Sequence, residues 1–231
     1  MDIRIVCEGS TDSAVPRVVM GVVLKDYIPV INMIHPDEDA LRKKPKERPP
    51  GTLGPGWQGV RAWLKRGAAV HAAVAGADLL VVHVDADIRR ENEIARGLRA
   101  PESGEDQLDP LCEHVKTWFA GGVPPNAIVV LPREATEACL LAVHSRLINV
   151  EADSMPAKTL QATGLIGTKG VDPHKRPARY RELAGALAVL IADNRQLARG
   201  PELERFVNKL RSLARVLRRA KKAGPSIGHL Q

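Results

Sequence analysis

Two acidic signatures stand directly after short β-branched runs. Glu8-Gly9-Ser10-Thr11-Asp12 follows Ile3-Arg4-Ile5-Val6-Cys7, and Asp85-Ala86-Asp87 follows Leu79-Leu80-Val81-Val82-His83-Val84. Apolar runs of this kind, flanked by helical patterns, read as buried strands of a parallel sheet. Parallel strands present their carboxyl ends on one edge, which is where open α/β sheets place ligands. Neighbouring strands lie about 4.8 Å apart, so Glu8, Asp85 and Asp87 converge if their two strands are adjacent. Carboxylates that close repel one another unless a cation neutralises them or some take up protons. A divalent metal site is the simplest resolution.

The Asp85-x-Asp87 pair is the stronger of the two signals. Residues at i and i+2 leaving a strand project to one side, and hard oxygen donors of this kind suit Mg²⁺ or Mn²⁺. Glu8 also has a plainer reading, as a strand-end charge beside a helix cap supplied by Thr11 or Asp12. Gly9 favours the chemical reading, because a glycine lets the backbone turn sharply beside the carboxylate. Glu134 and Glu137 can share a face near the start of a helix, where they complement the helix dipole or add a further metal ligand. His83, set inside an apolar strand, reads as a core histidine with its hydrogen bonds satisfied.

Strands and helices alternate in the order that positions such residues. A helix over about 13–24 follows the first strand, a second strand spans Tyr27 to Ile34, and a Pro- and Gly-rich charged loop fills 35–56. A helix from Trp57 to about Val74 leads into the strand ending at Asp85. A helix over about 105–120, a strand Ala127 to Leu131 and a helix from Glu134 to about Ser145 complete the pattern of a βαβ sheet. Residues 150–177 read as loop, and two helices follow, about 178–194 and 201–223. The second carries Phe206, Leu210, Leu213 and Leu217 at helical spacing, opposite a basic face that includes Arg215 and Arg218. Another basic segment, His174-Lys175-Arg176-Pro177-Ala178-Arg179-Tyr180-Arg181, offers cations for phosphate or for developing negative charge. Both basic stretches also read plainly, as a solvated loop and an amphipathic docking helix.

At 231 residues the chain can form one large α/β domain or a core with an extension. Its 44% hydrophobic content allows a sizeable core, and only 3% aromatic content makes that core aliphatic. A net charge of +7 favours polyanions without choosing among them. Cys7, Cys112 and Cys139 are far apart and form no Cys-x-x-Cys, which argues against a zinc finger or a disulfide scaffold. No Walker lysine loop, Gly-x-Gly-x-x-Gly or Gly-x-Ser-x-Gly occurs, which weakens ATPase, dinucleotide and serine-hydrolase readings. The chain opens on a strand rather than a signal peptide and holds no uninterrupted apolar span, so a soluble cytoplasmic protein without membrane association is expected.

Taken in order, these motifs resemble a Toprim domain, the fold of topoisomerases, primases and nucleases of the overcoming-lysogenization-defect type. The family pattern is a Glu-Gly-x-Thr-Asp turn after the first strand and Asp-x-Asp after a later one. Stand-alone bacterial members continue with Pro-x-x-x-x-Glu-Ala-Trp-Leu-Leu-Ala, which Pro132 to Ala142 resembles, with Cys139 where the tryptophan would be. The resemblance covers about residues 1–145. It implies a Toprim-like α/β fold, a mostly parallel sheet of about four strands flanked by helices, with residues 146–231 as a loop and basic helical extension. It also implies metal-dependent phosphodiester chemistry, with Glu8 as general acid/base or ligand and Asp85 and Asp87 holding Mg²⁺ or Mn²⁺. Glu137 maps onto a further acidic position, and Lys175 onto a lysine near the scissile phosphate, with Lys169 close by.

The leading expectation is a nuclease, or nuclease subunit, acting on DNA or RNA. Arg176, Arg179, Arg181, Arg215 and Arg218 are its expected nucleic-acid contacts. A separate ATPase partner in phage defence is implied by the resemblance, and homo-oligomerisation is left open. Two other readings stand beside it: a non-catalytic scaffold or interaction subunit, and a nucleotide-sugar transferase using Asp85-Ala86-Asp87. The second leaves Glu8 and Glu137 without a role.

Overall fold

Four parallel strands form the centre of the molecule: β1 (Asp2–Val6), β2 (Val30–His35), β3 (Leu79–His83) and β4 (Ala127–Val130), in the order β2-β1-β3-β4. The computed structural model describes residues 1–37, 39–40, 43–145, 150, 153–167, 177–193, 197 and 199–223. The β1 and β3 runs are adjacent, with Ile3 opposite Leu79 and Val6 opposite Val82. Glu8 and Asp85 therefore leave the sheet side by side at its carboxyl edge. The strand order also reverses there. The chain leaves β1 towards β2 through α1 (Ala14–Val23), and leaves β3 towards β4 on the other side. A crevice at such a reversal is where doubly wound sheets bind ligands.

The period-2 alternation of β1 and β3 divides the core into two layers. Ile3, Ile5, Leu79 and Val81 face one apolar layer, and Val6, Leu80, Val82 and Val84 face the other. The second layer is roofed by α2 (Trp57–Leu64), α3 (Gly67–Ala75), α4 (Asn92–Ala95) and α5 (Asp109–Lys116), with Trp118 and Phe119 just beyond. The first layer takes α1, α6 (Thr136–His144), α7 (Pro156–Ala162), α8 (Pro177–Gly185), α9 (Leu187–Ala192) and α10 (Pro201–Ala223). Residues from both sides of position 145 share this layer. Among the described residues no helix is long and apolar enough to cross a membrane.

The element order is the one expected, with local differences. The helix expected over 57–74 is two helices broken at Lys65-Arg66, and the one over 178–194 breaks at Ala186. The 105–120 helix is shorter, Asp109–Lys116. The stretch read as loop over 150–177 holds α7, which Pro156 opens at a position where its missing N–H costs nothing. His83 is buried but not satisfied: its Nδ1 has no hydrogen-bond partner, and burial pushes its pKa down to about 4, which keeps the ring neutral.

Candidate functional site

Glu8 emerges one residue past the buried Cys7 and is held from two directions. Its Oε1 accepts the backbone N–H of Asp85 at 2.8 Å, and the start of α2 at Trp57 lies beside its carboxylate. The backbone carbonyl of Glu8 accepts Gly56 N–H at 2.8 Å, so the end of the Pro-rich loop closes onto this residue. That closure requires glycines. Gly56 has φ +84°, and a Cβ on Gly59 would stand 1.8 Å from Gly54 O. Glu8 thus stands at the start of α2 although it follows a strand some 50 residues earlier in sequence, and the positive end of the helix dipole favours a carboxylate there.

Asp85 follows β3, and the chain then tightens into a 3₁₀ turn, Ala86–Arg90, anchored by Ala86 N–H to Pro132 O at 2.9 Å. Asp87 is exposed on this turn. Asp12 is buried instead of capping α1: the N-cap is Ser13, which makes no side-chain cap bond, and its hydroxyl bonds Ser10 O at 2.9 Å. Asp12 Oδ1 accepts Thr11 Oγ1 at 3.1 Å and Thr136 Oγ1 at 3.4 Å, tying the first turn to α6. Glu137, also buried, sits in the first turn of α6, and its Oε1 accepts the Tyr180 hydroxyl at 2.6 Å.

These carboxylates act on one another. Burial raises Asp85 well above the ordinary range, reinforced by Asp12, Glu8, Glu137 and Asp87. Burial also pushes Glu8 up to about 7; Asp12 and Asp87 add to this, and the N–H groups of Asp85 and Trp57 oppose it. Tyr180 is raised by burial and by Glu137, so its phenol stays protonated and donating. One buried atom, Asp85 Oδ1, has no hydrogen-bond partner at all.

A cleft of about 310 Å³ opens over this group, lined among the described residues by Asp85, Asp87, Glu137, Arg90 and Lys158, with Glu134 and the start of α7. Its floor is acidic and its rim carries cations. Glu134 is not an open ligand: Arg89 and Arg90 both pair with it, clamping the 3₁₀ turn to the segment before α6. Glu8 touches Asp85 but does not line the cleft.

The expected residues therefore divide. Glu8, Asp85, Asp87 and Glu137 come together. Arg179 donates to Leu165 O at 2.8 Å and pairs with Glu182, and Arg181 is exposed on the same helix. Arg215 is exposed, and Arg218 pairs with Asp26 just ahead of β2, at the opposite edge of the sheet from the cleft. Lys175, Arg176 and Lys169 lie outside the described residues. Sequence reasoning missed Asp12 as a partner of the acidic group, although it closes the Glu-Gly-x-Thr-Asp motif. It also missed Tyr180, Arg90 and Lys158, for which no motif existed.

A divalent cation fits this group on two counts: the donors are all hard oxygens, and Asp85 Oδ1 is a buried carboxyl oxygen without a hydrogen-bond partner. Among the described residues no three side chains stand in an arrangement that holds an ion as they are. Comparisons of the chain with protein-family models, with curated proteins and with solved structures find no match to any of them.

Proposed function

We propose that the chain is a divalent-metal-dependent phosphodiesterase acting on nucleic acid, with its site at the β1/β3 edge. One observation carries this reading: Asp85, with an unpartnered buried oxygen, is set among Glu8, Asp12, Asp87 and Glu137 where the strand order reverses. Burying like charges together is costly, and a fold keeps such an arrangement where the charges do work. Asp85, Asp87 and Glu137 are the residues that would hold Mg²⁺ or Mn²⁺, with Glu8 beside them. Bound there, the metal would supply a hydroxide near neutral pH and neutralise charge on the phosphate. Glu8, held by the Asp85 N–H beside that metal position, is the group placed for proton transfer. Arg90 and Lys158 on the rim meet the phosphate backbone. The motif order that resembles Toprim nucleases supports the same chemistry, and the basic net charge of +7 suits a polyanionic substrate.

The test is incubation of the purified chain with plasmid DNA and with single-stranded RNA, with and without Mn²⁺ or Mg²⁺. The reading predicts cleavage that needs the metal and is lost in Glu8→Ala and Asp85→Ala. Undiminished cleavage in those variants contradicts it. Absence of Mn²⁺ binding by calorimetry, in a chain that forms a stable complex with another protein, favours the scaffold reading instead.

A further inference from the structure

Resting on that reading, we propose that Tyr180, from the helical extension, is a positioning residue that completes the acidic site by fixing Glu137. Three observations lead there. Tyr180 is fully buried on α8, yet its hydroxyl emerges from the apolar layer at one carboxylate, bonding Glu137 Oε1 at 2.6 Å across 43 residues of chain. Glu137 is 1% exposed and belongs to the cleft lining, so its carboxylate spans from the core to the cleft. The rest of Tyr180 packs in the layer shared by α1, α6 and α8, where a phenylalanine would fill the same space.

A buried phenol needs a partner, and a buried carboxylate needs a donor; here each meets the other. The bond occupies one oxygen of Glu137 and locks the side chain's last torsion. The carboxylate is thereby oriented at the cleft, in the manner of the outer partners that orient metal-ligating carboxylates. The extension thus supplies part of the site as well as part of the core.

Tyr180→Phe removes the hydroxyl alone. Mn²⁺ titration by calorimetry and nucleic-acid cleavage rates, for wild type, Tyr180→Phe, Glu137→Gln and the double variant, give the test, with the melting temperature in EDTA as the check on folding. Tyr180→Phe is expected to weaken Mn²⁺ affinity roughly 10–100-fold. High Mn²⁺ should recover much of its cleavage rate, and the substitution should add nothing in the Glu137→Gln background. Recovery by metal separates positioning from a loss of packing. Mn²⁺ affinity within about twofold of wild type, or full additivity with Glu137→Gln, overturns the role of Tyr180 and leaves the metal site standing. A wild-type chain that binds no Mn²⁺ overturns both.

Discussion

Two charged regions of this molecule use carboxylates in opposite ways. In the groove of about 610 Å³ beside α5 and α10, acids and bases alternate. Glu105 pairs with Arg99, Asp109 and Asp106 with Arg205, and Glu113 with Lys116. Hydrogen bonding to Arg99 holds the half-buried Glu105 down to about 2. In the cleft over β1 and β3, Asp85 and Glu8 are instead pushed upwards, by burial and by other carboxylates. The larger groove is a solvated mosaic of satisfied pairs. The smaller cleft gathers carboxyl groups around a buried Asp85 oxygen that lacks a hydrogen-bond partner, and that distinguishes a site from a charged surface.

The sharpest way to break this contrast is to remove the charges on which activity depends. Glu8→Ala and Asp85→Ala are expected to reduce metal-dependent cleavage by at least about 100-fold, whereas Arg99→Ala leaves it unchanged. Stability provides a second axis, and the signs should differ. In EDTA at pH 8, Asp85→Asn relieves desolvated like charge and is expected to stabilise the fold by about 1–2 kcal/mol while abolishing Mn²⁺ binding. Glu134→Gln weakens the anchor for Arg89 and Arg90 and is expected to destabilise by about 1–3 kcal/mol, read from denaturant midpoints. Gly59→Ala forces the 51–56 loop away from α2 and loosens the hold on Glu8. A loss of about 1–3 kcal/mol is expected, accompanied by weaker metal binding.

The pH dependence is the mildest test. Glu8 has an ordinary value of 4.5 and is raised to about 7 in the folded chain, so it binds a proton more readily folded than unfolded. Its contribution is complete below pH 4.5 and is lost as pH rises through about 7. His83, lowered from 6.5 to about 4, acts oppositely: its contribution is present above 6.5 and is lost as pH falls through about 4. A Glu8→Gln variant in EDTA should lose the decline between pH 4.5 and 7 while keeping the rise that His83 gives. Melting temperatures across that range read the difference, and identical pH profiles for variant and wild type would count against the raised Glu8.

How much of this was legible in the sequence follows from which contacts are local. The strand-end positions of Glu8 and Asp85 were readable because β1 and β3 announce themselves as short β-branched runs, and a strand's end fixes where the next residues emerge. Asp12 was misread because Thr-Asp before a helix has a ready explanation as a cap; only the fold shows Ser13 at the N-cap and Asp12 turned inward. The break between α2 and α3 escaped because the apolar pattern runs on across Lys65-Arg66. Tyr180 was out of reach for a different reason, since its partner lies 43 residues earlier and only the docking of α8 on α6 brings them together. The glycines at 56 and 59 read as loop punctuation, while their part in closing the loop onto Glu8 is tertiary.

The central claim is that Asp85 and its neighbouring carboxylates hold a divalent cation in the cleft. Anomalous scattering from a crystal grown or soaked with Mn²⁺ tests it directly. The account predicts one peak, or two about 4 Å apart, with Asp85 Oδ1 about 2.1 Å from manganese and Asp87 or Glu137 completing the ligand set. A fully loaded crystal with no peak in the cleft, or with manganese bound only away from Asp85, would contradict it.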